Sequence, residues 1–188
     1  MKSVDEFLNN EQKQQSVDEF LGTQNPENKN MQTVDEFLNP ASVLPKTQIT
    51  QSFGNYNPSL EVFSGGKALD TNFAANPNTP VHVPHGQWYV ISAYTGAAPE
   101  GYVGNPANEG YGNDVMIQNT KTGDKLHFIH LAGVNVKPGQ IINGAPIFGM
   151  TGSSGNATGP NLGVEYYNSE GKLGDVMQSP YAQYFNVN

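Results

Sequence analysis

The feature that most constrains the fold of this chain is a succession of short strand-like runs that begins at about Thr47. Groups of β-branched and aromatic residues alternate with Gly, Asn and Pro, which is typical of short strands joined by turns. Strands are predicted over residues 79–83, 88–94, 114–118, 125–130 and 161–166. Residues 119–124 (Asn-Thr-Lys-Thr-Gly-Asp) are predicted to form a hairpin loop. No long helical periodicity competes, so we predict an all-β domain of antiparallel strands over residues 47–188.

Residues 1–46 differ in composition and carry a hexapeptide three times. Ser-Val-Asp-Glu-Phe-Leu starts at residues 3 and 16, and Thr-Val-Asp-Glu-Phe-Leu starts at residue 33, so the starts are 13 and then 17 residues apart. The unequal spacing argues against a solenoid, whose units stack at a fixed period. The intervening Asn, Gln, Glu and Lys residues cannot assemble a core. We therefore predict a largely extended N-terminal tail that precedes the β domain.

Each copy of the hexapeptide has the pattern of one amphipathic helical turn. Its Ser or Thr and the Glu three residues later form a capping box, and its Val, Phe and Leu share one face. Such a short helix is unstable alone and would fold in an apolar groove of a partner. Three linked copies would gain avidity for a multicopy protein partner. The predicted partner-binding residues are Val4, Phe7, Leu8, Val17, Phe20, Leu21, Val34, Phe37 and Leu38. The alternatives are a duplicated spacer and a set of protease recognition sites.

Composition excludes several classes of function. The chain of 188 residues has no cysteine, which removes disulfides and thiolate metal sites, and its net charge of −8 disfavours nucleic acid and anionic membranes. No stretch approaches about 20 apolar residues, so no membrane span is predicted. The N-terminus lacks an apolar signal region. We expect a protein retained in a cytoplasm unless a particle carries it out.

Several motifs occur in an order that identifies a family. They are Gly-Lys-Ala-Leu-Asp at 66–70, Gly-Tyr-Gly-Asn at 110–113, Phe-Ile-His-Leu at 128–131, Thr-Gly-Ser-Ser-Gly at 151–155 and Thr-Gly-Pro-Asn-Leu-Gly-Val-Glu at 158–165. Over roughly residues 51–166 this order resembles the lysostaphin-like (LytM-type) zinc peptidoglycan endopeptidases. The resemblance implies the antiparallel β-sheet of that family, with an open groove.

The resemblance also implies that most of the zinc ligands are missing. The family has His-x-x-x-Asp, Tyr-x-His-Leu and Gly-Pro-His-Leu-His-Phe-Glu motifs, and zinc is held by the first His, the Asp and the last His. At the matching positions this chain keeps Asp70 but has Gly66 and Gly163 instead of the two histidine ligands. Beside the zinc-bound water it keeps His130 and has Asn161. Because catalytic zinc needs about three protein ligands, the resemblance predicts no metal, no cofactor and no catalytic residue.

The retained Asp70 and His130 have two interpretations. They are structural, joined by a hydrogen bond that fixes both side chains, or they take part in ligand binding. No other histidine is expected to rebuild the zinc site. Strand alternation places His127 on the face opposite to His130, and His82 and His85 are predicted to be surface residues near a turn.

The groove has two further candidate features. A long polar loop over residues 96–110 is expected at its rim. Six aromatic residues form either a peptide-binding or glycan-binding surface or cross-strand packing. They are Trp88, Tyr94, Tyr102, Tyr111, Tyr166 and Tyr167.

These features favour a non-catalytic pseudo-peptidase that acts as a structural or adaptor protein. It is expected to be a bacteriophage virion component, present in the host cytoplasm and then in the virion, and tethered to its partner by the three tail motifs. The alternative is a zinc metalloendopeptidase that cleaves peptidoglycan peptides through a non-standard ligand set. A third hypothesis is a regulator that binds wall peptides or another enzyme through the groove.

Overall fold

A computed structural model of the chain describes residues 42–55 and 68–187. The three tail motifs with their predicted partner-binding residues, and Gly66, lie outside the described residues. The described part contains strands and short 3₁₀ turns, the latter at Ala107–Gly110, Val176–Gln178 and Ala182–Tyr184. Within it, no helix has the length and apolar character needed to cross a membrane.

Twelve strands are described and are labelled in chain order. They are β1 Leu44–Thr47, β2 Ile49–Gln51, β3 Thr71–Ala74, β4 Pro80–His82, β5 Gln87–Tyr94, β6 Asn113–Asn119, β7 Lys125–Val134, β8 Ile141–Asn143, β9 Ile147–Thr151, β10 Asn161–Tyr167, β11 Leu173–Gly174 and β12 Phe185–Val187. The five predicted strands are confirmed as β4, β5, β6, β7 and β10. The all-β class is confirmed with them.

Ten of the strands form one antiparallel sheet. Its main path runs β2-β3-β10-β7-β6-β5-β8, while β9 joins β4 to β7 and β11 pairs with β10. The parallel pair β1 and β12 forms a separate two-stranded sheet. Strands β7 and β10 therefore lie side by side near the middle of the large sheet, where both of their edges are paired.

The β6–β7 hairpin has the predicted loop. Asn119 donates its backbone N–H to the Asp124 carbonyl oxygen at 2.8 Å, and Gly123 takes a φ of 83°, which glycine adopts without strain. The resulting register pairs Met116 with His127. Alternation then places His127 on the face of the hairpin opposite to the core.

One face of the sheet carries the hydrophobic core. Phe128 packs against Phe148 with ring centroids 4.8 Å apart, and Phe73 stacks on Phe185 of β12 at 4.8 Å. Trp88 is fully buried and donates its indole N–H to the Pro84 carbonyl oxygen at 2.8 Å. Burial of each such side chain contributes roughly 1.5–3 kcal/mol. The other face of β7 and β10 is thereby left for polar chemistry.

Candidate active-site groove

A groove of about 670 Å³ lies on the polar face of β7 and β10. Its described lining residues are Thr50, Gln51, Leu69, Asp70, Asn72, Val103, Pro106, Glu109, Gly110, Tyr111, Ile129, His130, Asn156, Ala157, Thr158, Asn161 and Glu165. The loop predicted at the rim supplies several of them, from Val103 to Gly110, so that expectation is confirmed. The groove thus brings Asp70, His130 and Asn161 together, as the motif order predicts.

His130 reaches the groove because its backbone interrupts the strand alternation. It takes a φ of 64°, in the left-handed region that non-glycine residues rarely adopt. Phe128 and Leu131 consequently face the core, while Ile129 and His130 both line the groove. The backbone N–H of His130 is held by the Tyr111 carbonyl oxygen at 2.9 Å.

The loops that hold His130 are brought together by glycines from two of the sequence motifs. A Cβ on Gly155 would lie 2.4 Å from the Gly110 carbonyl oxygen, so only glycine allows this approach. Ser154 then accepts the Asn113 backbone N–H at its Oγ, at 2.8 Å, and donates that hydroxyl to the Leu131 carbonyl oxygen at 2.7 Å. The motifs at 110–113 and 151–155 therefore fix the backbone on both sides of His130.

The imidazole of His130 has a defined tautomer. Nδ1 lies 2.8 Å from the Ser154 carbonyl oxygen and must donate to it, because a carbonyl can only accept. Burial lowers the pKa of His130 to about 4, despite that hydrogen bond, so the ring is neutral near pH 7. Nε2 then carries no proton and is an acceptor. The partner of the Nδ1 proton is thus the backbone of Ser154, whereas the sequence suggested the Asp70 carboxylate.

Position 163 has no metal-binding side chain and no room for one. Gly163 lies between Ile129 of β7 and Asn72 of β3. A Cβ at this position would lie 2.5 Å from Ile129 Cγ1 and 2.6 Å from Asp70 Oδ2. Both distances are shorter than real Cβ contacts, so any side chain here would displace its neighbours. Ile129 occupies the space that a side chain at position 163 would need.

The described residues do not fit a catalytic zinc. Asp70 supplies one carboxylate and Asn161 an amide, whereas Gly163 supplies nothing. Across residues 42–55 and 68–187 no three His, Cys, Asp or Glu side chains are placed to hold a metal ion. A catalytic zinc requires about three protein ligands and an open position.

A buried charge cluster behind the groove was not predicted from the sequence. His127 Nδ1 donates to Glu165 Oε2 at 2.9 Å, and its Nε2 lies 3.5 Å from Asp114 Oδ1. The hydroxyl of Tyr167 donates to Glu165 Oε2 at 2.8 Å, and the Asn108 side-chain amide donates to Asp114 Oδ2. Glu165 also lines the groove. The prediction that His127 points away from the side carrying His130 was wrong, because the left-handed turn at His130 brings both rings to the same side.

His127 in this cluster is an imidazolium. Burial lowers its pKa, but hydrogen bonds to Asp114 and Glu165 and the charges of both carboxylates outweigh that effect and raise it to about 9. Burial and the nearby Glu165 charge also raise the pKa of Tyr111 and of Tyr167. Both phenols therefore stay neutral. The Tyr111 ring packs edge-on against His127, with centroids 4.8 Å apart.

The other sequence candidates divide between the core and the surface. Trp88 is core, and Tyr166 packs against the core cluster. Tyr94 and Tyr102 are exposed by 40% and 65%, and of the six aromatics only Tyr111 lines the groove. A continuous aromatic binding surface is therefore not formed by the described residues.

The comparisons with known proteins agree with this geometry. Residues 70–175, more than half of the chain, match Peptidase family M23. The fold is similar to the catalytic domain of the antimicrobial peptidase lysostaphin from Staphylococcus simulans, with 23% identity, 70% of this chain and 90% of that chain covered, and a TM-score of 0.55. It is also similar to the catalytic domain of a point mutant of the prophage-encoded M23 protein EnpA from Enterococcus faecalis, with 19% identity, coverage of 76% of this chain and 98% of that chain, and a TM-score of 0.55.

LytU is a third similar structure, with 23% identity, coverage of 74% of this chain and 91% of that chain, and a TM-score of 0.55. At these identities the likeness shows the fold. No curated protein matches the chain in sequence. The resemblance to lysostaphin-like peptidases inferred from the motif order is confirmed: the chain belongs to Peptidase family M23.

Proposed function

We propose that this chain is a non-catalytic member of Peptidase family M23 that acts as a structural or adaptor protein. The observation that carries the proposal is position 163, where glycine supplies no ligand and Ile129 fills the adjacent space. Asp70 alone cannot hold a catalytic zinc against water. Without a bound metal, water near neutral pH is not activated as a nucleophile in the manner of zinc hydrolases.

The proposal is tested by metal content and hydrolysis on the full-length protein. We expect less than about one-tenth equivalent of zinc after purification in zinc-containing buffer, an unchanged melting temperature on chelation, and no cleavage of peptidoglycan peptides. A bound metal ligand would stabilise the native state by mass action, so chelation would then lower the melting temperature. Near-stoichiometric zinc together with cleavage would refute the proposal.

A second candidate is a zinc metalloendopeptidase with a non-standard ligand set. Its support is that Asp70, His130 and Asn161 still line one groove. Metal-dependent cleavage that is lost in Asp70→Asn and kept in Gly159→Ala, where a Cβ meets no atom within 4 Å, would favour it.

The tail is proposed to tether the domain to a multicopy protein partner. The support is a hexapeptide that occurs three times in a polar, charged segment. Each copy has a capping box and carries its apolar residues on one face of a helical turn. A bacteriophage virion is the proposed setting, since it supplies a multicopy partner, and one similar structure is of a prophage-encoded protein.

The tether is tested with a matched pair of triple variants. Replacing Phe7, Phe20 and Phe37 by Ala removes the largest apolar side chain from each motif. Replacing the spacer residues Gln14, Gln24 and Gln32 by Ala is the control. We expect only the Phe variant to leave the natural particle during purification, while both keep the wild-type melting temperature. Equal retention of both variants would refute the tether.

A further inference from the structure

The loop over residues 96–110, which we call the rim loop, contributes no residue to the hydrophobic core. Its base is held by Asn113, whose side chain accepts the Ala97 backbone N–H at 2.9 Å and donates to the Ala97 carbonyl oxygen at 3.1 Å. Farther along, Gly104 donates its backbone N–H to the Asn156 side-chain oxygen at 2.7 Å. A segment without buried apolar contacts opens at a lower free energy than the core strands do.

The rim loop ends in a left-handed turn of three residues. Asn108 has φ 51° and ψ 54°, Glu109 has φ 57° and ψ 23°, and Gly110 has φ 92°. In this conformation Cβ crowds the following carbonyl oxygen, so glycine adopts it routinely, asparagine occasionally, and other residues rarely. Glu109 is therefore strained. Such residues persist only where their surroundings hold them, and they are concentrated at clamps and switches.

The side chain of Asn108 holds this turn in place. Its Nδ2 donates to the Asp114 carboxylate and to the Gly112 carbonyl oxygen, the latter at 3.0 Å. Asp114 is buried on β6, and its other carboxylate oxygen lies 3.5 Å from His127 Nε2. A hydrogen bond to a carboxylate is stronger than one between neutral groups. We call this contact between Asn108 and Asp114 the latch, because it joins the rim loop to the buried charge cluster.

The same turn forms part of the groove wall. Glu109 lines the groove together with Val103, Pro106 and Gly110 of the rim loop, whereas Asn108 does not. Consecutive residues of one turn thus contact the buried cluster and the groove. If the turn relaxes, the groove residues of the rim loop move with it.

We propose that the rim loop is a two-state device, with a second, open state that widens the groove. In the described, closed state the latch opposes the strain of the left-handed turn. The latch therefore favours the closed state, and the positive φ of Glu109 favours the open one. The proposal concerns access to the groove and does not depend on whether the groove holds a metal.

The test is amide hydrogen exchange of the full-length protein, resolved by residue with NMR, at several urea concentrations below the unfolding transition. The reporters of the rim loop are the hydrogen-bonded amides of Gly104, Tyr111 and Gly112. The reference is the amide of Val90, which is fully buried and bonded within the sheet. After correction for intrinsic rates, we expect the loop amides to exchange at least about a hundredfold faster than Val90. Urea should accelerate only Val90, because local opening exposes little surface and unfolding exposes much.

Two neighbouring glycine substitutions separate the latch from the strain. Asn108→Gly accepts the positive φ but removes the latch, so exchange of the loop amides should become about fivefold faster or more. Glu109→Gly keeps the latch and relieves the strain, so the same amides should exchange about threefold more slowly. Glu109→Gln is the matched control, because it removes the same charge but keeps a side chain at the positive φ. It should leave exchange of the loop amides within about twofold of the wild type.

Loop amides with the exchange rate and urea dependence of Val90 would overturn the open state. A change in the same direction in both glycine variants would overturn the opposition of latch and strain. If Asn108→Gly fails to fold, the comparison of Glu109→Gly with Glu109→Gln decides, and equal exchange rates in those two variants would overturn the proposal. None of these outcomes concerns zinc content or peptide cleavage, so the proposed function stands or fails separately.

Discussion

The charge of His127 predicts a specific pH dependence of stability. Its pKa is about 9 in the folded protein against 6.5 for an ordinary histidine. Since the folded pKa is raised, the stabilisation is fully present below pH 6.5 and is lost as pH rises through 9. A shift from 6.5 to about 9, at 1.36 kcal/mol per unit, corresponds to about 3 kcal/mol. The free energy of unfolding should therefore fall by about 1 kcal/mol per pH unit in this window.

The assay is urea unfolding at pH 6.5, 7.5, 8.5 and 9.5, followed by the fluorescence of Trp88. That residue is the only tryptophan of the chain and is fully buried, so its emission reports unfolding of the β domain. The tyrosines of the cluster do not interfere, because their raised pKa values keep them neutral throughout this range.

The matched variants are His127→Gln and the exposed His85→Gln. His127→Gln leaves Asp114 and Glu165 buried without their cation, so it should cost about 3–5 kcal/mol at pH 6.5. The stability difference between the variant and the wild type should narrow from pH 6.5 to 9, because the wild type loses the stabilisation from its imidazolium over that range. A wild-type stability that is flat from pH 6.5 to 9.5, or a gap that stays constant, would refute a buried imidazolium.

Three further predictions concern other parts of the β domain. The pKa of His130 is about 4, so its contribution to the free energy of unfolding is fully present above pH 6.5 and is lost as pH falls through 4. His130→Asn, since asparagine tolerates a positive φ, should reduce this loss of stability at acid pH in the same unfolding assay. Gly163→Ala should destabilise by about 1–3 kcal/mol, whereas Gly159→Ala, with no atom within 4 Å of its Cβ position, should be near neutral; equal melting temperatures would contradict the crowding at position 163. Phe148→Ala should cost about 3–5 kcal/mol by leaving a cavity beside Phe128, and a loss below about 1 kcal/mol would argue against that packing.

Four of the five strands predicted from the sequence have enough residues to show a pattern, and the exception is Pro80–His82, which has three. Gln87–Tyr94 and Asn161–Tyr167 have eight and seven residues, enough to show apolar residues at alternate positions in their sequences. Ile141–Asn143 and Leu173–Gly174 have three and two residues, which carry no period. These short strands exist because the neighbouring strands supply their hydrogen bonds. Their pairing depends on strands that are distant in the chain, so it cannot be predicted from the local sequence.

The groove residues, too, could be predicted from the sequence only in part. The motif order correctly predicts that Asp70, His130 and Asn161 share a groove. The left-handed backbone at His130 depends on the Tyr111 carbonyl and the Ser154 contact, which come from loops distant in sequence. Part of the buried charge cluster could have been predicted from the β6–β7 hairpin loop, because the register that it sets places His127 opposite Met116 on the polar face. Glu165 of the buried cluster lies on β10, where it is paired with His127 of β7. The β6–β7 hairpin does not determine the register of that pairing. The division of the chain near residue 46 and the roles of the tail motifs remain predictions.

The contact between position 163 and Ile129 has a consequence for how this sequence can change. Replacing glycine by histidine at 163 is not a neutral step toward a metal site, because the new side chain meets Ile129 before it can meet any ion. A change that shrinks residue 129 must come first, and on its own it only leaves a cavity. Each single step is therefore unfavourable, and the carboxylate of Asp70, 2.6 Å from the Cβ position, must move as well. The pairing of position 163 with Ile129 across the β ladder thus disfavours the return of a histidine ligand. A library that varies one position at a time is therefore not expected to recover one.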